Sequence, residues 1–191
     1  MVVILNGASS AGKSSIATAL QTVWPRTLLH AGIDLFTRML PAALTGFDAA
    51  PGDRARHGFS WRTGREDGEP VMRLEAGPEA ERVMRDMRRT VAFMEGLGND
   101  VVVDEILLRQ EWLEDWRAVL QGRTLWLVGV RCPLEVLVAR ERERGRRILG
   151  QARGTFAAAH AHCRYDLEVD SGALSPIECA RAIAARLAPA S

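Results

Sequence analysis

The chain of 191 residues has few of the features that mark secreted, membrane or nucleic-acid-binding proteins. Its three cysteines include no Cys-x-x-Cys pair, which argues against a disulfide framework or zinc knuckle and favours a reducing cytosol. No apolar run approaches the roughly 20 residues of a membrane span, and the N-terminus lacks the basic start of a signal peptide. The net charge is only +1, so neither nucleic acid nor an anionic membrane is an expected partner. We therefore expect one cytoplasmic domain spanning residues 1–191.

The sequence does contain short apolar runs that alternate with longer helical patterns. Strands are predicted over residues 2–5, 27–31, 100–103, 124–130 and 167–169. Helices are predicted over 13–23 and 133–145 and after a capping box at Ser175. Another is predicted to start near Pro78 and to carry a methionine stripe, Met84, Met87, Val91 and Met94. Strands joined by crossover helices indicate an α/β fold with a parallel sheet of about five strands and helices on both faces. Ligands of such sheets bind beyond the carboxyl ends of the strands.

A glycine-rich motif follows the first predicted strand and opens the first predicted helix. It has the spacing G-x-x-x-x-G-K-[ST] of a phosphate-binding P-loop, which predicts a P-loop NTPase fold. The glycines allow turn conformations, and the loop amides should point at the phosphates of ATP. Lys13 should reach the β and γ oxygens from an exposed position in an empty loop, and the Ser14 hydroxyl should ligate Mg²⁺. The residues predicted to bind the cofactor here are Gly7, Ala8, Ser9, Ser10, Ala11, Gly12, Lys13, Ser14 and Ser15.

Acidic residues follow the second and third predicted strands. Asp104 and Glu105 come directly after the third, where a Walker B acid holds Mg²⁺, and strand alternation favours Asp104 as the one that faces the metal. Asp34 follows the second strand and is the candidate base that accepts the proton of the acceptor hydroxyl. The alternative for Asp34 is an N-cap for a helix over residues 35–40, and the two roles can coexist.

Two segments do not fit the alternation of strands and helices, and long loops of this kind are usually functional. Residues 42–76 are polar but carry Phe47, Phe59 and Trp61, which predicts a substrate-binding insertion. Residues 140–164 begin with interleaved arginines and glutamates, which predicts a lid whose arginines, Arg140 among them, meet the nucleotide. Plain solvated loops remain the alternative for both. The glycines Gly145, Gly150 and Gly154 are the expected hinges of the lid.

These residues resemble the chloramphenicol phosphotransferases, P-loop kinases of the nucleoside-monophosphate-kinase type. Besides the P-loop, the telling stretches are Gly129-Val130-Arg131-Cys132 and Tyr165-Asp166-Leu167-Glu168-Val169-Asp170. The resemblance implies an ATP-dependent phosphotransferase acting on the primary hydroxyl of chloramphenicol. It makes Asp34 the base, Lys13 the phosphate clamp, and Arg144 or Arg147 a lid contact. The chain departs from the family at Glu105, where the family has aspartate, and in residues 42–76.

The acceptor and the reaction leave alternatives open. An uncharged aromatic alcohol would suit the three aromatic residues of the insertion. A phosphorylated metabolite would instead need arginines near Asp34, for which the sequence offers Arg38, Arg54, Arg56, Arg62 and Arg65. A kinase of another small metabolite, or an ATP-binding switch protein without an acceptor, also has the P-loop. Assembly into a homo-oligomer stays open.

Overall fold

A computed structural model describes residues 1–145 and 149–188. Within them, a main sheet is formed by β1 (Val2–Asn6), β2 (Leu28–Gly32), β6 (Asp100–Glu105), β7 (Leu125–Arg131) and β8 (Leu167–Asp170). All its strand pairs are parallel, in the spatial order β2-β6-β1-β7-β8. The predicted fold class is confirmed, and each strand boundary lies within two residues of its predicted position. Among the described residues, no helix is long and apolar enough to cross a membrane.

Helices cover both faces of the main sheet because its central strands are apolar on both sides. On one face lie α1 (Lys13–Val23) and α8 (Pro176–Leu187), which pack around Val3 and Leu5. On the other face lie α3 (Pro78–Gly96) and α4 (Gln110–Val119), which pack around Val2 and Ile4. The predicted capping box is present at the start of α8. The helix α4 is not among the helices predicted from the sequence.

The predicted insertion is not a loop but a small second sheet. It consists of β3 (Thr45–Phe47), β4 (Phe59–Glu66) and β5 (Glu69–Ala76), in that order. A short 3-10 turn, Ala42–Leu44, leads into β3, and a second, Arg54–His57, lies between β3 and β4. The hairpin between β4 and β5 turns at Asp67 and Gly68, both with positive φ. A polar sequence forms this sheet because only one of its faces is covered, and alternation places the apolar side chains there.

Three further helices bring chain segments to the carboxyl edge of the main sheet. The helix α2 (Ile33–Thr37) starts at its N-cap Gly32, so the predicted helix over 35–40 is wrong in register. The helix α5 (Leu134–Arg144) ends at Gly145, which has φ 58°. Beyond it come α6 (Gln151–Phe156) and α7 (Ala158–Ala161), which pack on β5 and on the P-loop side of the main sheet.

Candidate active site

The P-loop, Gly7 to Ser14, lies between β1 and α1 as predicted, and two of its positions require glycine. Gly12 has φ 82°, in the left-handed region that favours glycine. At Gly7 the Cβ of a side chain would lie 2.5 Å from the carbonyl oxygen of Val130. Glycine is therefore required there by lack of space, and not by the turn conformation that the sequence predicts. Ser10 also has a positive φ, 68°, and its buried hydroxyl has no hydrogen bond within the described residues. A polar atom so placed fits a loop built to receive phosphate oxygens.

Lys13 does not reach into solvent as the sequence analysis expects. It is the only lysine of the chain, and only 9% of it is exposed. Its Nζ donates hydrogen bonds to the carbonyl oxygens of Gly7 and Ala8, each at 2.8 Å. Because the ammonium stays close to the loop backbone, its charge is held at the phosphate-binding loop before a nucleotide arrives.

Asp104 and Glu105 have separate partners, which decides between them. The Ser14 hydroxyl donates a short hydrogen bond to Oδ2 of Asp104, and His30 Nε2 lies 3.6 Å from the same oxygen. Burial raises the pKa of Asp104, but His30, Ser14 and the charge of Lys13 outweigh it, so the pKa is lowered and the carboxylate is kept ionised. Gly32 on β2 lies directly against this carboxylate, where a side chain would overlap it. Asp104 is therefore the acid that lies beside the Ser14 hydroxyl, and its role at the metal stays a prediction.

Glu105 points into a buried network instead. It is 2% exposed, accepts a hydrogen bond from Nη2 of Arg88 at 3.3 Å, and accepts another from the indole of Trp116. Burial raises the pKa of Glu105, although the charge of Arg88 acts in the opposite direction. Arg88 is fully buried and also contacts Asp115 at 3.0 Å. The sequence gives no signal for this network beyond the methionine stripe around Arg88.

Asn6, the last residue of β1, fixes the strand ends around the P-loop. It is fully buried, and its Nδ2 donates to the carbonyl oxygen of Ala159 at 2.6 Å and to the Tyr165 hydroxyl at 2.8 Å. Its Oδ1 accepts a hydrogen bond from the amide of Leu107 at 2.8 Å. One side chain at the end of β1 thus links the segment after Glu105 to α7 and to Tyr165, directly before the P-loop.

A small cavity of about 70 Å³ at the P-loop brings most of the predicted site residues together. Asp34 lines it from the first turn of α2, where Gly32 is the N-cap, so Asp34 is not the cap that was the alternative. Arg144 lines it from the last turn of α5, whereas Arg147 lies outside the described residues. The predicted residues that line it are Ser9, Ser10, Gly12, Lys13, Ser14, Ser15, Asp34, Asp104 and Arg144.

Arg140 lies beside the P-loop but at a different cavity. It lines a space of about 190 Å³ with Ala11, Gly12 and Ser15 on one side and residues 171–176 on the other. Its guanidinium donates to the carbonyl oxygen of Ser171 at 2.7 Å. This cavity continues from the P-loop through Gly12, Ser15 and Arg144, which line both spaces.

A larger cavity of about 430 Å³ adjoins the P-loop on the side of the second sheet. One cross-strand row of that sheet, Phe47, Trp61 and Leu74, lines it, because these three residues pair in register across β3, β4 and β5. Phe59 joins them, since it is two residues from Trp61 and on the same face of β4. The aromatic residues that the sequence assigns to substrate binding therefore do meet at one cavity. Its other walls come from Ile33, Thr37, Met84, Ile106, Leu108 and Trp112.

The two cavities meet at shared residues, and α6 closes the junction. Ser9, Asp34 and Glu105 line both. The amide of Ser9 donates a hydrogen bond to Oγ1 of Thr155 at 2.9 Å, so it points at α6. The sequence instead predicts that this amide points at the phosphates of ATP. Gln151 and Thr155 of α6 line the larger cavity, and sequence reasoning missed both because it treated their segment only as a lid.

The segment predicted as a lid includes tightly packed parts. Gly150 accepts a hydrogen bond from the amide of Met72 at 3.0 Å, and a side chain at Gly154 would overlap the Met72 carbonyl oxygen. These two glycines allow the close approach of α6 to β5, which differs from the role of lid hinge that the sequence predicts for them. A side chain at Gly145 would meet no atom of the described residues within 4 Å. The movement of a lid stays a prediction.

The fold and the site together define a small-molecule kinase of the P-loop class: a nucleotide-binding loop with its acid, beside a separate apolar cavity. The family model described as "Chloramphenicol phosphotransferase-like protein" matches residues 1–188. The chain therefore belongs to the chloramphenicol phosphotransferase-like family.

One relative supports this assignment, and two solved structures share the fold. The chain is 37% identical over 182 residues to "Putative O-phosphotransferase Rv2636" of Mycobacterium tuberculosis, covering 94% of this chain and 79% of that protein. Its fold is similar to the Mycobacterium tuberculosis APS kinase solved with AMPPNP and APS, with TM-score 0.64, 17% identity, and 95% and 94% of the two chains covered. It is also similar to a Deinococcus radiodurans tunicamycin resistance protein, with TM-score 0.63, 16% identity, and 99% and 98% covered.

Proposed function

We propose that the chain transfers the γ-phosphate of ATP to a primary hydroxyl of a small, uncharged, largely apolar alcohol. Chloramphenicol is the candidate acceptor, and antibiotic inactivation the consequence. One observation carries the proposal: the 430 Å³ cavity meets the P-loop at Asp34, and no arginine or lysine is found among its described lining residues.

The lining of this cavity favours a neutral acceptor over a phosphorylated one. Recognition of a phosphate or carboxylate group calls for arginine or lysine at hydrogen-bond distance. The charged residues among the described lining are Asp34 and Glu105, both acids; Glu105 is paired with the buried Arg88, and Asp34 would repel an anion. Arg62, one of the arginines that kept the alternative open, instead pairs with Glu75 at 2.7 Å outside the cavity. The others, Arg38, Arg54, Arg56 and Arg65, do not line the cavity either.

ATP and Mg²⁺ fit the residues on the other side of Asp34. The cavity beside Arg140 continues from the P-loop and offers space for the nucleoside. Ser14 and Asp104 supply oxygen ligands of the kind that Mg²⁺ prefers alongside substrate phosphates. When bound, the metal supplies positive charge that offsets the charge of the phosphates.

In the proposed reaction, Asp34 accepts the proton of the acceptor hydroxyl as its oxygen forms a bond to the γ-phosphorus. The bond between that phosphorus and the β–γ bridging oxygen breaks, and ADP leaves. Lys13 stabilises the charge of the transferring group, and Arg144 lies at the same cavity to add a second cation. Because an acceptor cavity adjoins Asp34, transfer is favoured over the alternative of a switch protein that only hydrolyses ATP.

The proposal is tested by measuring acceptor-dependent ADP release with a panel of alcohols. The panel contains chloramphenicol, other uncharged aryl alcohols, and phosphorylated or carboxylate-bearing alcohols of similar size. We expect release above the acceptor-free rate with the uncharged alcohols. Release confined to the anionic alcohols would overturn the neutral acceptor, and equal release with and without every acceptor would favour the switch protein.

A further inference from the structure

One peptide unit of the P-loop is held from both sides, by Lys13 and by α6. The carbonyl oxygen of Ala8 accepts a hydrogen bond from Lys13 Nζ at 2.8 Å. The amide of Ser9, in the same peptide unit, donates a hydrogen bond to Oγ1 of Thr155 at 2.9 Å. Because this peptide is trans and planar, its C=O and N–H point in opposite directions and turn only together. The orientation of the carbonyl that binds Lys13 therefore depends on the contact with Thr155.

The Thr155 hydroxyl is arranged to accept the hydrogen bond from Ser9. Thr155 is only 1% exposed, and its hydroxyl donates its single proton to the carbonyl oxygen of Gln151 at 2.7 Å, one turn earlier in α6. The oxygen is left to act as an acceptor toward the Ser9 amide. A buried amide without an acceptor carries the cost of its lost hydration, so this contact favours one orientation of the peptide.

The helix that carries Thr155 is itself anchored away from the P-loop. The Glu141 carboxylate of α5 accepts hydrogen bonds from the amides of Gly150 and Ala152, at 2.8 and 3.0 Å. On the other side, the amide of Met72 in β5 donates a hydrogen bond to the carbonyl oxygen of Gly150 at 3.0 Å. Thr155 therefore presents its oxygen from a fixed support, which is what the positioning of a binding group requires.

We propose that Thr155 is a positioning residue for the P-loop lysine: it fixes the peptide between Ala8 and Ser9, and thereby the ammonium group of Lys13. Without the threonine oxygen the peptide is free to rotate, and Lys13 then loses one of its two carbonyl partners. Thr155 acts on the nucleotide through Lys13 and not by direct contact. This inference rests on the proposed function, which places the phosphates of ATP at this loop.

A double-mutant cycle tests whether Thr155 acts through Lys13. Thr155→Val keeps the shape of the side chain and removes the hydroxyl. The affinity for a non-hydrolysable ATP analogue with Mg²⁺ is measured by calorimetry without an acceptor, because Thr155 also lines the larger cavity. In the wild-type background the variant should weaken binding by about tenfold, the scale of one net hydrogen bond. In the Lys13→Ala background the same change should alter the affinity by less than about twofold, because the two effects are coupled.

Two further variants separate positioning from a general loss of packing. Thr155→Ser restores the hydroxyl on a smaller side chain and should recover most of the lost affinity. Thr90→Val is the matched control: it removes a hydroxyl that donates to a carbonyl four residues earlier, on an exposed face of α3, and should leave the affinity unchanged. Thr155→Ala, made in both backgrounds, takes the place of the valine variant if that variant folds poorly.

The outcomes separate this inference from the proposed function. Equal weakening by Thr155→Val in the two backgrounds would show that Thr155 acts independently of Lys13. A serine variant as weak as the valine variant would show that packing, and not the hydroxyl, is responsible. Either result would overturn the inference and leave the proposed function standing. Failure of the wild type to bind the ATP analogue would overturn the two together.

Discussion

The hydroxyl of Ser14, at the start of α1, donates a hydrogen bond to the carboxylate of Asp104, near the end of β6. The two residues are 90 positions apart, and the parallel pairing of β1 with β6 brings them together. This contact joins the phosphate-binding loop to the Walker acid. Because both side chains present oxygen atoms to the same point, we propose that they bind Mg²⁺.

Asp104→Asn should raise the Mg²⁺ concentration needed for half-maximal activity by at least about tenfold, the scale seen when a metal-site residue is altered. The amide keeps the size of the side chain but removes the negative charge that attracts the cation. The measurement is an activity titration with Mg²⁺ at saturating ATP. Asp86→Asn, an exposed carboxylate on α3, is the control, and an unchanged titration for Asp104→Asn would remove Asp104 from the metal site.

Lys13→Ala should lower the rate of transfer by at least about a hundredfold, because one preorganised charge at the phosphates is lost. The side chain bonds to two loop carbonyls, so the variant also tests how far the loop depends on it. Transfer rate and thermal unfolding should be measured on the same preparation. Near-normal turnover in a folded variant would refute the assignment of the P-loop lysine.

Asp34→Asn should preserve ATP binding and lower the transfer rate by about 10²–10⁴-fold, the usual effect of losing a general base. The amide cannot accept the hydroxyl proton. Because Gly32, and not Asp34, is the N-cap of α2, the melting temperature should change little. The transfer rate, the affinity for a non-hydrolysable ATP analogue and the melting temperature together test this. A stability loss with an unchanged rate would show a structural role for Asp34.

Trp61→Ala should weaken binding of the acceptor by about tenfold or more, since it removes the middle side chain of the row that lines one apolar wall of the cavity. The affinity for ATP should stay within about twofold, because Trp61 does not line the P-loop cavity. Arg62→Ala is the matched control: it lies next along β4 with its side chain on the opposite face, paired with Glu75. Equal effects of both variants on the acceptor KM would show that acceptor binding depends on the integrity of strand β4 and not on the indole of Trp61.

The sequence predicts those parts of the fold and the site that depend on local pattern. The P-loop spacing, the apolar strands and the capping box at Ser175 are short-range signals, and each is found where it is predicted. The residues at strand ends, Asp34 and Asp104, follow from the rule that parallel strands end at one edge. The aromatic residues of the insertion are predicted to bind substrate because large apolar side chains in a polar segment have to be buried, either against the domain or in a pocket.

The rest depends on contacts that no local pattern shows. The second sheet is missed because its strands are polar on one face and paired only with each other. The positions of Gln151 and Thr155 are missed because they follow from the packing of α6 against Met72 and Ser9, residues distant in the chain. The sequence does not predict the burial of Lys13, because this burial follows from hydrogen bonds to two backbone carbonyl oxygens, which the residue types do not reveal.

The most direct test of the proposed reaction is to follow the phosphorus atom. Wild-type protein is incubated with ATP, Mg²⁺ and chloramphenicol, and the mixture is monitored by ³¹P NMR and mass spectrometry, with Asp34→Asn as the control. We predict that the γ-phosphate signal is replaced by that of a phosphate monoester on the primary hydroxyl, in step with ADP, and far more slowly in the variant. Appearance of ADP with inorganic phosphate alone, here and with the other uncharged alcohols, would contradict transfer to an acceptor in the cavity beside Asp34.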